Sequence, residues 1–428
     1  MVNLGRATRR AARAGAPAVE PIVGPPPDAD RMLHSLQAFR PFRLLFLGTL
    51  VTNSAFWMYQ IAVGWLALEQ TDSPLFVGLT GFAGGIPLLF LALPAGVIID
   101  RFDRRKVLMA AQVGVMAVAG LFALLVGTGL IERWSILLLA CLYGVAMSFV
   151  FPTRNAIVPA LVDRPALANA VALNAAGQNA TRVVGPSLAG LLIAVIGISG
   201  AFAVAAAMQI LALYWTAQLP SSASEKSARG GTLWTSLTLG LRVVARDPFL
   251  IGLILLATST TVLIMPYINL MPVFARDELG LGSTGLGVLM AASGLGSVAG
   301  ALSVARYRKL ATWPGVQIIT AVGFAATVLL FAIAPSVLLA TLLLFGAGLM
   351  SAAYMAINQT VLQLKVDDDV RGRVLSIYLL TWGMLPLGQL PLGALADRFG
   401  APSATVIACA VALGCVGLLA LRYPSLRK

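Results

Sequence analysis

From residue 42 to residue 421 the chain alternates long apolar runs with short polar joints. Twelve runs stand out: 42–68, 74–99, 107–131, 135–158, 167–195, 198–218, 249–275, 281–305, 314–334, 336–364, 371–396 and 401–421. Each reaches the roughly 20 residues that carry an α-helix across a bilayer's hydrocarbon core. A helix satisfies all its backbone hydrogen bonds internally, so such runs are expected as membrane helices rather than strands. The pattern therefore predicts an all-α integral membrane protein with twelve transmembrane helices.

The joint between the sixth and seventh runs differs from the rest. Pro220 to Thr232 is polar and rich in Ser and Gly, and an amphipathic run, Trp234 to Arg246, follows it. That run suits a helix lying along a membrane surface. The chain is thus expected to divide into a tail (1–40), a six-helix bundle (41–219), a linker with a surface helix (220–248) and a second six-helix bundle (249–428).

The two bundles echo each other. Gly185, Gly190 and Gly197 reappear as Gly388, Gly393 and Gly400 at a constant offset of 203, which also pairs Met147 with Met350 and Asn155 with Asn358. Two pseudo-symmetric halves with a substrate held between them near the midplane are a recurring transporter plan.

Charge orients this assembly. The chain holds 30 Lys and Arg against 17 Asp and Glu, a net charge of +13, yet only 11% of its residues are charged. The basic residues are scattered over many short loops rather than gathered in one module, which argues against a nucleic-acid partner. With a cytoplasmic N-terminus, the outer loops hold only Arg133, Arg276 and Arg398, and Arg182 falls inside a span. All other Lys and Arg then lie on the cytoplasmic side or at its edge, as short loops require. Both termini are expected in the cytoplasm and the protein in the cytoplasmic membrane. The early arginines, Arg6, Arg9, Arg10 and Arg13, precede no apolar signal core. They read as a disordered basic tail, although organellar transit peptides share this composition.

Chemistry is sparse. Cys141, Cys409 and Cys415 sit inside apolar runs with no metal or disulfide spacing, and His34 is the one histidine. Neither an enzyme, a metal site nor a cofactor is expected. No phosphate-binding Gly-rich Lys-Ser/Thr sequence is present, so energy would come from an ion gradient.

The joint between the second and third runs carries six charges: Gly96-Val-Ile-Ile-Asp100-Arg101-Phe-Asp103-Arg104-Arg105-Lys106. It resembles the signature loop of the major facilitator superfamily, departing from it at Asp103, where glycine is usual. In the fifth run, Thr181-Arg-Val-Val-Gly185-Pro186-Ser-Leu-Ala189-Gly190 is similar to the signature of members that export by antiport. Its bend motif, Gly185, Pro186 and Gly190, admits a second reading as close helix packing unrelated to transport direction. Trp57-Met-Tyr-Gln60, Gly64-Trp65, Thr71-Asp-Ser-Pro74, Pro152-Thr-Arg154-Asn155 and Arg371-Gly-Arg373 resemble the branch holding enterobactin exporters and macrolide-efflux proteins. The resemblance implies a monomeric secondary transporter that exports a small amphiphilic molecule, a drug or siderophore-like metabolite, by alternating access. The proton is the first candidate for the coupling ion. An uptake or lipid-moving carrier of the same fold, and a membrane receptor or scaffold, remain alternatives.

The resemblance also places the eleventh run's start opposite the signature loop. A cytoplasmic gate is expected from Gly96, Asp100, Arg101, Arg104 and Arg105 against Arg371 and Arg373, with Arg154 as a second partner. A charge deep in a span faces a cavity or a partner, so Arg182 is the leading cavity candidate; a structural role at the Gly-Pro bend is its rival. Asn174, Gln178 and Arg182 share one helix face. Asn53, Trp57, Gln60, Tyr267, Asn269, Tyr354, Asn358, Tyr378 and Trp382 complete the expected cavity lining. None of the runs has an Asp or Glu near its middle, which leaves open whether coupling uses an edge carboxylate. A near-copy of the signature loop, Gly393 to Gly400, falls on the outer face after the eleventh run.

Overall fold

The apolar runs fold as helices bounded by short capping residues. The computed structural model describes residues 33–221, 233–307, 313, 315–366 and 368–427, and among these there is no strand. The helices are α1 (His34–Ala38), α2 (Arg40–Thr71), α3 (Pro74–Arg101), α4 (Arg104–Gly127), α5 (Arg133–Ile157), α6 (Leu167–Ala217) and α7 (Leu233–Arg246). Then come α8 (Pro248–Ser259), α9 (Met271–Val273), α10 (Ser283–Arg306), α11 (Val316–Ala332), α12 (Val337–Lys365), α13 (Asp368–Gly383), α14 (Leu385–Phe399) and α15 (Ala401–Arg422). Ser73, Asp103, Asp247 and Ser336 cap α3, α4, α8 and α12 by accepting backbone N–H groups that lack a partner in the first turn.

Eight described helical stretches are long and apolar enough to cross a bilayer, and Val316–Ala332 is a shorter apolar helix. One stretch, Arg164–Ala217, runs for 54 residues and folds back on itself. Gly197 breaks α6 with φ 76° and ψ 176°, a conformation that favours glycine. Before the break, Gly177 lies against Phe46 and Leu50, and Gly185 against Ser54 and Trp57. After it, Gln209 accepts from Thr52 Oγ1 at 3.3 Å and Ala212 faces Gly48. The chain climbs α2 and then descends it, so α6 is two antiparallel limbs.

The helix continues through Pro186, and its break at Gly197 falls in the joint expected between the fifth and sixth runs. Two expectations are corrected here. The run 249–275 is not one regular helix: Pro266 and Pro272 lack N–H donors, and α8 gives way to a π turn, Thr260–Ile264, a 3-10 turn, Met265–Leu270, then α9 and a second π turn, Phe274–Glu278. The last residues assigned to the disordered tail form α1, where Ser35 N–H donates to Asn169 Oδ1 at 3.2 Å and Ser35 Oγ to Ala166 O at 3.3 Å. Residues 1–32, the first part of that tail, lie outside the described residues.

Glycine contacts display the two-fold repeat. Gly185 seats α6 on α2, and its counterpart Gly388 seats α14 on Val262 and Pro266. Gly190 of α6 meets Gly287 of α10, while its counterpart Gly393 of α14 meets Gly78 of α3. Gly197 and Gly400, also counterparts, turn the chain with φ 76° and 83°. The halves therefore join at two related crossings, α6–α10 and α3–α14, where small residues let backbones approach closely.

Inside the first half, Tyr59 stacks on Tyr143 with ring centroids 3.5 Å apart, and Phe122 on Phe202 at 4.7 Å. Leu138, Leu142, Leu338, Leu342, Leu418 and Leu421 point outward. So much apolar surface on an isolated chain marks contact with lipid.

Candidate functional site

Between the halves lies a cavity of about 350 Å³. On α2, Asn53, Trp57 and Gln60 line it at spacings of four and three, one face of a helix. Gln178 and Arg182 line it from α6, Tyr267 and Asn269 from the 3-10 turn, and Trp382 from α13. The irregular backbone at Met265–Leu270 is thus used where it borders a cavity, the setting in which membrane proteins tolerate it. Eight of the twelve residues expected in the lining are there.

Arg182 stands at the centre of this arrangement. Its guanidinium carbon is 5.8 Å from the ring centroid of Trp57 and 5.8 Å from that of Trp382, within cation–π range of both. Trp57 belongs to the first half and Trp382 to the second. Gly185 fixes the first contact, because a methyl group there would stand 2.6 Å from Trp57 Cβ. Tyr267 Oη lies 3.5 Å from Ser293 Oγ on α10.

The other four expected residues lie elsewhere. Asn174 is buried toward α5 and donates from Nδ2 to Asn155 Oδ1 at 3.3 Å. Asn358 is buried inside the second half, and Tyr354 and Tyr378 border a small separate space with Thr260 and Thr381. Helical spacing puts Asn174 on the Arg182 face, but one turn at a time it passes beyond the cavity into the packed end of the bundle. Thr80, Ser293, Ser297 and Ser351 do line the cavity and were missed, since small hydroxyl residues in Gly-rich runs read as packing positions.

The halves also meet at one end of the bundle. There Arg276 Nη1 donates to Asp72 Oδ1 at 2.9 Å and to Leu68 O at 3.3 Å, while Arg276 Nε reaches Asp277 at 2.6 Å. Ser73 Oγ donates to Asp397 Oδ1 at 2.6 Å, and Leu75 N–H reaches the same oxygen at 3.4 Å. Asp397 thus sits at the N-terminus of α3, where a carboxylate is favoured. Sequence reading had given these residues no role across the halves.

At the opposite end, Asp100 pairs with Arg104 of its own loop at 3.9 Å, and Arg104 Nη1 donates to Ala156 O at 2.9 Å. Gly96 lies within α3, Arg101 is exposed and Arg105 half-buried. The side chains of Arg371 and Arg373 lie outside the described residues. Arg154 is only 2% exposed and here faces α2 of its own half, donating to Thr52 Oγ1 at 2.7 Å and Thr49 Oγ1 at 3.1 Å. Asp103 caps α4 through Arg105 N–H at 2.9 Å and accepts from Ser221 Oγ at 2.6 Å. Partial burial raises its pKa, but the Ser221 hydroxyl and the Arg105 and Lys106 N–H groups outweigh that and hold the carboxyl below its usual value.

Comparisons with known proteins agree with this geometry. The staphyloferrin A transporter of Staphylococcus aureus is 26% identical over 362 residues, covering 83% of this chain and 88% of that protein. The multidrug efflux pump Tap of Mycobacterium tuberculosis is 28% identical over 405 residues, covering 91% and 94%. The crystal structure of a bacterial homologue of the human lysosomal transporter Spinster, inward-facing and unoccupied, superposes with a TM-score of 0.71 at 16% identity, covering 91% of this chain and 99% of that one. The profile of the transmembrane secretion effectors, a major facilitator family, matches residues 35–427, and the chain belongs to that family.

Proposed function

We propose that this chain exports a small amphiphilic compound across the cytoplasmic membrane by alternating access, driven by an ion gradient. The carrying observation is the cavity between the halves, in which one arginine contacts a tryptophan from each. A site shared by both halves changes shape whenever they rock, which alternating access requires. The siderophore transporter and the drug pump among its relatives support export of a secreted metabolite or drug.

In this reading the twelve apolar runs are twelve spans, with the α6 reversal at Gly197 separating the fifth from the sixth and both termini in the cytoplasm. The chain acts as a monomer, and the proton is the candidate coupling ion. The Asp72 end is outermost and closed, and the Asp100 end is cytoplasmic. The signature loop of Asp100, Arg101, Arg104 and Arg105 engages the start of α13, at Arg371 and Arg373, when the cavity faces outward.

Inside-out membrane vesicles with an acidic lumen test this directly. Uptake of an amphiphilic fluorescent probe is expected to need both the protein and the pH gradient, and to fall at least tenfold in Arg182→Ala. Transport confined to right-side-out vesicles would instead assign the chain to uptake.

A further inference from the structure

We infer that the cargo is an anionic aromatic amphiphile, selected by Arg182 held between Trp57 and Trp382. This rests on the export reading above and names the substrate class of the same cavity. The lining supplies the first reason. Arg182 is the one formal charge in the lining among the described residues, and no Asp or Glu among them borders the space. Among the described residues, no carboxylate comes within 4.0 Å of the guanidinium.

Arg182 is half-buried inside the bundle, and a cation in such a site without a counter-ion is costly. Two tryptophan faces offset part of that cost, and their attraction for the cation adds no negative charge. The remaining demand is for an anion, and a ligand that supplies one gains most where water is excluded. A cationic amphiphile would meet a like charge and find nothing to neutralise it.

The surrounding groups specify the rest of the molecule. Trp57, Trp382, Phe56 and Phe151 line the space with aromatic side chains that suit an aromatic body. Asn53, Gln60, Gln178 and Asn269 carry amide donors that suit carboxylate, phenolate or hydroxyl oxygens. Because the two tryptophans come from opposite halves, a ring lodged beside Arg182 touches both and senses their relative position.

Three probes of one shape isolate the charge: 2-naphthoate, 2-naphthamide and 2-naphthylmethylammonium, measured for binding to the full chain in lipid nanodiscs. Wild type is expected to bind the naphthoate at least tenfold more tightly than the ammonium, with the amide between them. Arg182→Gln should erase that order, Arg182→Lys should keep it at reduced strength, and Trp382→Leu should weaken all three probes while preserving it. Equal binding, no binding, a preference for the ammonium, or an anion preference that survives Arg182→Gln would each overturn the inference. The assay contains no transport step. Anion preference without vesicle flux leaves this inference standing and removes the export reading, whereas flux of the ammonium that is indifferent to Arg182→Gln does the reverse.

Discussion

Two arginines of the first half lie within apolar runs, Arg154 buried and Arg182 half-buried, and their partners give them different work. Arg154 is held by α2: Thr49, Thr52 and the Leu45 carbonyl accept from its guanidinium, and Gly48 leaves room for it. Arg182 has ring faces instead, one from each half, so its surroundings change when the halves move. Arg154→Met is expected to cost about 1–3 kcal/mol of stability, the range for losing hydrogen bonds to a buried charged group. Denaturation of the purified protein in detergent measures that loss, and probe binding should be unchanged; lost binding at full stability would place Arg154 in the gate. That Arg182 is special was legible, because charge inside an apolar run is rare, whereas Arg154 read as an edge charge of the gate. Their partners were not, since Thr49 and Thr52 look like ordinary helix residues and helix rotation is unmarked when both faces are apolar.

At the scale of elements, glycine positions decide where helices touch. The constant offset between halves was readable because related crossings demand small residues at related places, and Gly190–Gly287 and Gly393–Gly78 are such crossings. Gly190→Val tests this. A methyl group there would stand 2.6 Å from Gly287 Cα and from Ser283 O, both backbone atoms that cannot swing aside. The variant is expected to lose most vesicle transport, while Gly414→Val, with no atom within 4 Å to meet, should retain it. Equal transport by the two variants would remove the crossing from the mechanism. What the sequence concealed was the course of the backbone. Pro186 sits in continuous helix, whereas Met384 parts α13 from α14 and paired prolines reshape the segment after α8. Tertiary packing, not the proline itself, decides which outcome occurs.

The whole molecule is clasped across its halves at one end through Asp72, Ser73, Arg276 and Asp397. These contacts join residues more than 200 positions apart, and they were invisible in a sequence whose loop charges report topology alone. The near-copy of the signature loop was placed correctly away from the basic end, but its aspartate turned out to cap a helix of the other half. If alternating access is right, this clasp must open in every transport cycle. The most direct test replaces the three native cysteines, introduces Ser73→Cys and Asp397→Cys, and joins the new thiols with a short bis-methanethiosulfonate bridge. Bridged protein in inside-out vesicles is expected to transport nothing, and reductant should restore flux to the level of the unbridged variant. Undiminished transport by fully bridged protein would contradict the account, because a carrier that works with this end held shut does not alternate about the cavity.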